Sequence, residues 1–493
     1  MTGKCNRREF LARCGSAIAA VELAQQGRIY AKDKKKPNVL WIIVEDMSCH
    51  FSCYGETSIQ TPNVDRLAAE GVRFDKAFVT APVCSPSRSA LITGMYQTSI
   101  GAHQHRSGRG TEKIYLRSHI RLVPSLFQEA GYYTCNGYLG DSKKRPGKTD
   151  YNFEYDKAVY DGTDWADREP GQPFFAQIQL IGGKGRTKKT PKPMNPADVK
   201  LPPYYPGDPV IRDDWAQYLN AVMNTDIQVG GIVQRLKAEG IYNNTYIFFL
   251  TDHGISHARG KQFLYEEGIR VPLIVRGPGL KAGTVREDMV VHIDMAATSL
   301  RLAGIAIPKW MQGKDFLAKD YNRREYIVSA RDRCDETVDR IRCVRTDRYK
   351  YIRNFYPERP YLQPCAYKDK KEILKALRRL YKTGKLNRDQ LLIFAKKRPK
   401  EELYDLQKDP WELHNLAHDS SNQRVLNRLR GILNQWIRET PDQGEKPEPT
   451  AMYDSDMKVY VDGIQSQGGE WIAHAKRIEA NIALMKKWEA EGK

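Results

Sequence analysis

The sequence predicts an α/β protein, a mainly parallel sheet flanked by helices, with a smaller carboxyl-terminal α+β part that carries an antiparallel sheet. Three observations point there. Apolar runs of strand length alternate with helical patterns over residues 36–325, as strands buried on both faces and covered by helices do. Over 326–493 the style changes: basic residues alternate with apolar and aromatic ones, the pattern of antiparallel strands with one wet face. The chain of 493 residues is 41% hydrophobic, enough to bury a core in one large and one smaller domain.

Residues 1–35 stand apart. Arg7-Arg8-Glu9-Phe10-Leu11, followed by the apolar stretch Cys14 to Leu23, resembles a twin-arginine export signal and implies a periplasmic or secreted protein. Val39 to Val44 is a continuous apolar run, a strand buried on both faces. Thr61 to Gly71 reads as a helix, with Thr61 as N-cap, Pro62 in the first turn and Gly71 at the end. A short helix opens at Cys84-Ser85-Pro86-Ser87-Arg88 and closes at Gly94. Phe174 to Leu180, Tyr246 to Leu250 and Val271 to Val275 are further strands, and Asp213 to Gly240 is a long helix. Beyond them, Arg340 to Asn354 has the antiparallel pattern, and Lys368–Lys397, Gln423–Arg438 and Gly469–Glu491 have helical periods. No apolar run approaches the roughly 20 residues of a membrane-spanning helix.

Lys and Arg number 79 against 60 Asp and Glu, a net charge of +19. Such a field gathers polyanions: nucleic acid, an anionic membrane surface, or sulfated or carboxylated polysaccharide. No nucleic-acid-binding motif accompanies the charge, so a nucleic-acid partner is not expected. Nine cysteines are too few for a disulfide scaffold; the reading is small buried residues plus one special cysteine.

The chemistry concentrates at strand ends. The first strand stops at Glu45-Asp46 and the third at Asp252-His253. Gathered carboxylates repel one another unless a cation joins them. Cys84 begins a helix, where free backbone N–H groups suit an anion and depress a thiol pKa.

Cys84-Ser85-Pro86-Ser87-Arg88 with Leu91-Ile92-Thr93-Gly94 resembles the signature of the type I, formylglycine-dependent sulfatases. Pro37 to Asp46, Thr61 to Gly71, Thr251 to Gly254, Arg270 to Val275 and Glu402 to Pro410 are similar to further segments of that family, so the resemblance covers roughly residues 37 to 420. It implies an alkaline-phosphatase-like fold and one divalent cation, Ca²⁺ in the family, held by Glu45, Asp46, Asp252, His253 and the modified Cys84. A maturation enzyme would convert Cys84 to formylglycine. One hydroxyl of its hydrate attacks sulfur, and the other then expels sulfate. Arg88, Lys148 and Lys261 match the family's sulfate-binding cations. Within the family, the resemblance is strongest to the heparan N-sulfatase-like branch, so the implied substrate is a sulfated glycan, by ester or N-sulfate cleavage.

The departures bear on the site. Glu45 replaces the usual aspartate, Asp150 stands where the family has a histidine, and Ile181 to Arg186 replaces a segment that carries another, with Lys184 as the substitute cation. His103, His105 and His257 are candidates for the missing acid, and Arg333 and Glu336 for contacts to the sugar. Alternative readings are a phosphoester or phosphonate monoester hydrolase of the same superfamily and a non-catalytic binder of sulfated glycans.

Overall fold

The computed structural model describes residues 35–140 and 143–493; the export-signal reading lies outside them. The large sheet contains β1 (Asn38–Val44), β2 (Val72–Phe78), β3 (Tyr133–Gly137), β4 (Phe174–Leu180), β5 (Thr245–Thr251), β6 (Arg270–Arg276), β7 (Thr284–Arg286) and β8 (Val290–Val291). Its order is β3-β4-β1-β5-β6-β2-β7, with β8 also beside β2. The centre is parallel: β1 runs between β4 and β5 in the same direction as both. β6 is antiparallel to β5 and to β2. Every residue of β1 and β4 is buried, as the apolar run of β1 requires, while Gln177 and Gln179 of β4 are buried with hydrogen-bond partners; separate apolar cores fill the two faces.

The second sheet, β9 (Tyr326–Arg331), β10 (Ile341–Thr346), β11 (Tyr349–Asn354) and β12 (Glu401–Asp405), is antiparallel throughout in the order β12-β11-β10-β9. The sequence pattern predicts a wet face here, but both faces are covered. Arg342 and Lys350 are fully buried, Arg342 against Asp332 and Asp442 and Lys350 against Glu266 and Glu412. Buried charge is tolerated because each cation meets two carboxylates.

Among the helices are α1 (Pro62–Ala69), α2 (Cys84–Thr93), α3 (Pro209–Ala238), α4 (Gln423–Glu439), α5 (Thr450–Gln465) and α6 (Glu470–Ala490). The expected helix over Lys368–Lys397 is broken into Ala366–Asp369, Glu372–Lys382 and Arg388–Leu391. Gly384, with φ +65°, turns the chain, and Asn387 and Gln390 form a capping box that starts the last piece. Thr61 precedes α1 but does not cap it; its hydroxyl is held by Ser52 and Asp65. The cap comes from α3. Asp226 accepts from the backbone N–H of Asn63 at 2.9 Å and of Val64 at 2.8 Å, and from the Asn63 side chain.

Removing that carboxylate strands two N–H groups at a buried helix end. Asp226→Ala is therefore expected to lower the unfolding free energy by about 1–3 kcal/mol, read by denaturant titration; an unchanged midpoint would show that water replaces the cap.

Candidate active site

Parallel pairing of β1 and β5 sets Val44 opposite Thr251. The residues after them, Glu45-Asp46 and Asp252-His253, therefore emerge side by side beyond the carboxyl ends of the central strands, where open α/β sheets bind ligands. The Asp46 N–H donates to Asp252 Oδ1 at 3.1 Å. α2 enters from the other side with Cys84 as its first residue. Cys84 Sγ lies 3.1 Å from His253 Nε2, 3.0 Å from Lys261 Nζ, 3.7 Å from Asp46 Oδ1 and 3.9 Å from Lys184 Nζ. Donor atoms of Asp46, Cys84, Asp252 and His253 all lie within 4.8 Å of one another, and all four residues are buried.

Arg88, one helical turn beyond Cys84, donates to Asp252 Oδ2 at 3.0 Å and to Gln179 at 2.8 Å, and its Nη2 is buried with no partner. Lys148 Nζ is 2.8 Å from Glu45 Oε2 and 3.4 Å from Asp150. Lys184 also bonds Glu45, from a turn that Gly182 and Gly183 permit: a Cβ on either would lie 2.2 Å from the backbone oxygen of Glu45 or Asp46. Lys261 is 3.5 Å from Asp46 and lies over the Tyr367 ring.

Four cations, Arg88, Lys148, Lys184 and Lys261, thus stand against Glu45, Asp46, Asp150 and Asp252, with Arg88 and Lys261 buried and Lys148 and Lys184 partly open to solvent. Burial opposes ionisation of Cys84, yet Lys148, Lys261, Lys184 and His253 together hold its thiol well below the usual range. Burial likewise opposes charge on Asp46, and Lys261, Lys184 and His253 overcome it. Burial disfavours protonated His253, but Asp252 and Cys84 raise it to about 10. Backbone strain gathers here as well: the non-glycine residues Asp46, Arg106, Asp150, Gln262 and Asp335 all have φ between +51° and +78°.

Asp46, Asp252 and His253 suit a divalent cation: Asp46 Oδ2 is buried without a partner, and two carboxylates with one imidazole form a donor set that such ions accept. Glu45, the remaining expected ligand, directs its carboxylate to Lys148 and Lys184.

Of the three candidate histidines, His105 reaches the centre. A ring nitrogen of His105, Cys84 Sγ and an Asp150 oxygen lie within 4.8 Å of one another. Its Nδ1 is 3.0 Å from Asp335, and its Nε2 is buried without a partner. Burial works against its charge, but Asp335 and Cys334 raise it to about 10. His257 is instead locked between Asp214 and Arg186 and stacked on Trp215. His103 lines a groove on the far side of its loop. Of the candidates for contacts to the sugar, buried Arg333 is gripped by Glu448 and Asp456, and Glu336 accepts from Asn481 and the Ala366 N–H through Oε1 while its Oε2 is buried without a partner. Gln179, Arg109, Tyr367 and Asp335 complete the surroundings without a local sequence signal; Arg109 holds Asp150.

A family model described as sulfatase matches residues 37–305, and one described as the carboxyl-terminal part of N-sulphoglucosamine sulphohydrolase matches residues 254–385. An ulvan-active sulfatase of Formosa agariphila is 34% identical over 467 residues, covering 84% of this chain and 77% of the relative. Human N-sulphoglucosamine sulphohydrolase is 25% identical, covering 82% of this chain and 90% of the relative. The solved structure of BT4656 in complex with D-glucosamine-2-N,6-O-disulfate superposes with a TM-score of 0.59 at 20% identity, covering 84% of this chain and all of that one.

The His105–Asp335 contact has a spectroscopic consequence. Asp335 is the largest influence that keeps the buried imidazole protonated, with Cys334 second, so in Asp335→Asn the His105 pKa should fall from about 10. Histidine ¹⁵N chemical shifts across a pH series read this directly; an unmoved titration would assign the shift to another group.

Proposed function

The chain belongs to the sulfatase family, and from that premise we propose that it removes sulfate from a sulfated glycan, using a formylglycine made from Cys84. The observation that carries the reading is the seat of Cys84: first residue of α2, 3.0 Å from Lys261 and 3.1 Å from His253. A divalent cation on Asp46, Asp252 and His253, calcium in kind, would supply positive charge that eases ionisation of a bound hydroxyl. The formylglycine hydrate would supply one hydroxyl as nucleophile and a second whose deprotonation lets sulfate leave.

The chain's own groups do the rest. Lys261, Lys184 and Lys148 bind the equatorial oxygens of the sulfate and meet the charge that grows on them, where exclusion of water strengthens each contact. Arg88 orients the hydrate through its uncommitted Nη2, while Asp252 and Gln179 fix its plane. Glu45 bridges Lys148 and Lys184 through one carboxylate oxygen. His105 holds a proton on Nε2 for the departing sugar oxygen, and Asp335 steadies the imidazolium at Nδ1. This histidine takes over the task of the one replaced by Asp150. The substrate class draws on the net charge of +19 and on relatives whose names specify ulvan and N-sulphoglucosamine.

Sulfate release from a panel of defined sulfated oligosaccharides, with the matching phosphate esters alongside, tests the reaction. Wild type should release sulfate, Cys84→Ala none, and peptide mass spectrometry should find an aldehyde in place of the Cys84 thiol. A higher kcat/KM for phosphate would make the enzyme a phosphoester hydrolase. His105→Gln should slow sugar sulfates roughly 10²–10⁴-fold but spare an aryl sulfate, whose leaving group needs no proton; equal losses on both would remove His105 from the acid role.

A further inference from the structure

The loop after α2 has two faces. His105 turns toward Cys84, whereas His103 turns into a separate groove of about 880 Å³ between residues 99–120 and 437–452. Gln443 pins the groove floor, its N–H to Thr98 and its side chain to Ser99. Tyr115, 74% exposed, stands on one wall. Arg117, Arg438 and Lys446 also line the groove, and among the described residues none of their side chains has a partner. The acids in the wall are mostly committed elsewhere: Asp442 to Arg342 and Glu448 to Arg333. His103 is 8% exposed, and its Nδ1 is buried with no hydrogen-bond partner.

An exposed aromatic ring, three uncommitted cations and the accessible edge of an imidazole recognise different parts of one kind of molecule. The ring stacks on a sugar face, the cations meet sulfate or carboxylate, and the imidazole edge, not its buried Nδ1, meets a hydroxyl. We propose that this groove is a second glycan-binding site, holding the anionic sugars that flank the one at Cys84 or that lie elsewhere on the same polymer. The proposal rests on the sulfated-glycan reading above and extends it from a single sulfated sugar to a chain. His103 enters as a neutral partner, since burial and the nearby Arg342 depress it to about 4.

Binding of a fluorescent heparin hexasaccharide to the Cys84→Ala protein, at about 0.15 M salt to suppress long-range attraction, tests the groove without turnover. Arg438→Ala/Lys446→Ala and, separately, Tyr115→Ala should each weaken binding by roughly tenfold. Lys382→Ala/Lys385→Ala, which removes two exposed lysines remote in sequence, should leave it unchanged. Undiminished binding by the groove variants, or an equal loss in the lysine control, overturns the proposal. In the otherwise unaltered enzyme, Arg438→Ala/Lys446→Ala should turn over an aryl sulfate at the wild-type rate; a slower rate would tie these residues to the catalytic centre and remove the separate groove. Absence of aryl-sulfate turnover in the wild type would count against the catalytic reading alone, and the binding titration would still decide the groove.

Discussion

The parallel pairing of β1 with β5 is the constraint on which the site depends. Two strands that run together, each buried on both faces, must end together, one at Glu45-Asp46 and the other at Asp252-His253. Without the register that sets Val44 against Thr251, Asp46 and Asp252 would not share a hydrogen bond and His253 would not reach Cys84. The acids cannot spread into water, because the sheet, α2 and the loop that carries Lys261 enclose them. Their charge has to be met within the pocket.

The pocket meets it with lysines and an arginine. In a low dielectric an unpaired carboxylate is far more costly than an exposed one, so buried Arg88 and Lys261 offset the charge of Asp252 and Asp46, and Lys148 and Lys184 offset that of Glu45 from its more open side. Against Glu45, Asp46, Asp150 and Asp252 the four cations leave the pocket near neutrality, and a divalent cation would tip it positive, the sign a sulfate needs. Positive φ at Asp46, Asp150, Gln262 and Asp335 indicates that the backbone bends to bring these groups together, as strained residues at functional sites commonly do. The same logic extends outward. Asp335 sits behind His105, Arg109 behind Asp150 and Gln179 beside Arg88, so each reactive side chain is aimed by a second one.

Much of this was legible in the residues. The apolar runs of β1 and β5 are so continuous that their burial and parallel grouping follow from pattern alone, and Cys84-Ser85-Pro86-Ser87-Arg88 is specific enough to point to one family. Strands with fewer apolar residues escaped. β2 carries Arg73, Asp75 and Lys76 within seven residues, and β3 contains a glycine, so neither has a clear period. Long-range geometry escaped for a different reason. Arg333 and Glu336 resemble ligand-gripping residues in sequence, yet Glu448, Asp456 and Asn481, more than a hundred residues away, absorb them. Arg342 and Lys350 read as solvent-facing until their carboxylate partners are seen. His105 and His103 differ by two positions and look alike as loop histidines; only the fold reveals that one meets the cysteine and the other a groove.

In the proposed reaction Asp46, Asp252 and His253 hold a divalent cation beside Cys84, and turnover depends on it. The most direct measurement is sulfate release by enzyme stripped with a chelator and then titrated with Ca²⁺, alongside Asp252→Ala. Wild-type activity should disappear on stripping and return in full with one cation bound per chain, whereas Asp252→Ala should stay inactive at every concentration. Undiminished sulfate release by the stripped wild-type enzyme would contradict the account.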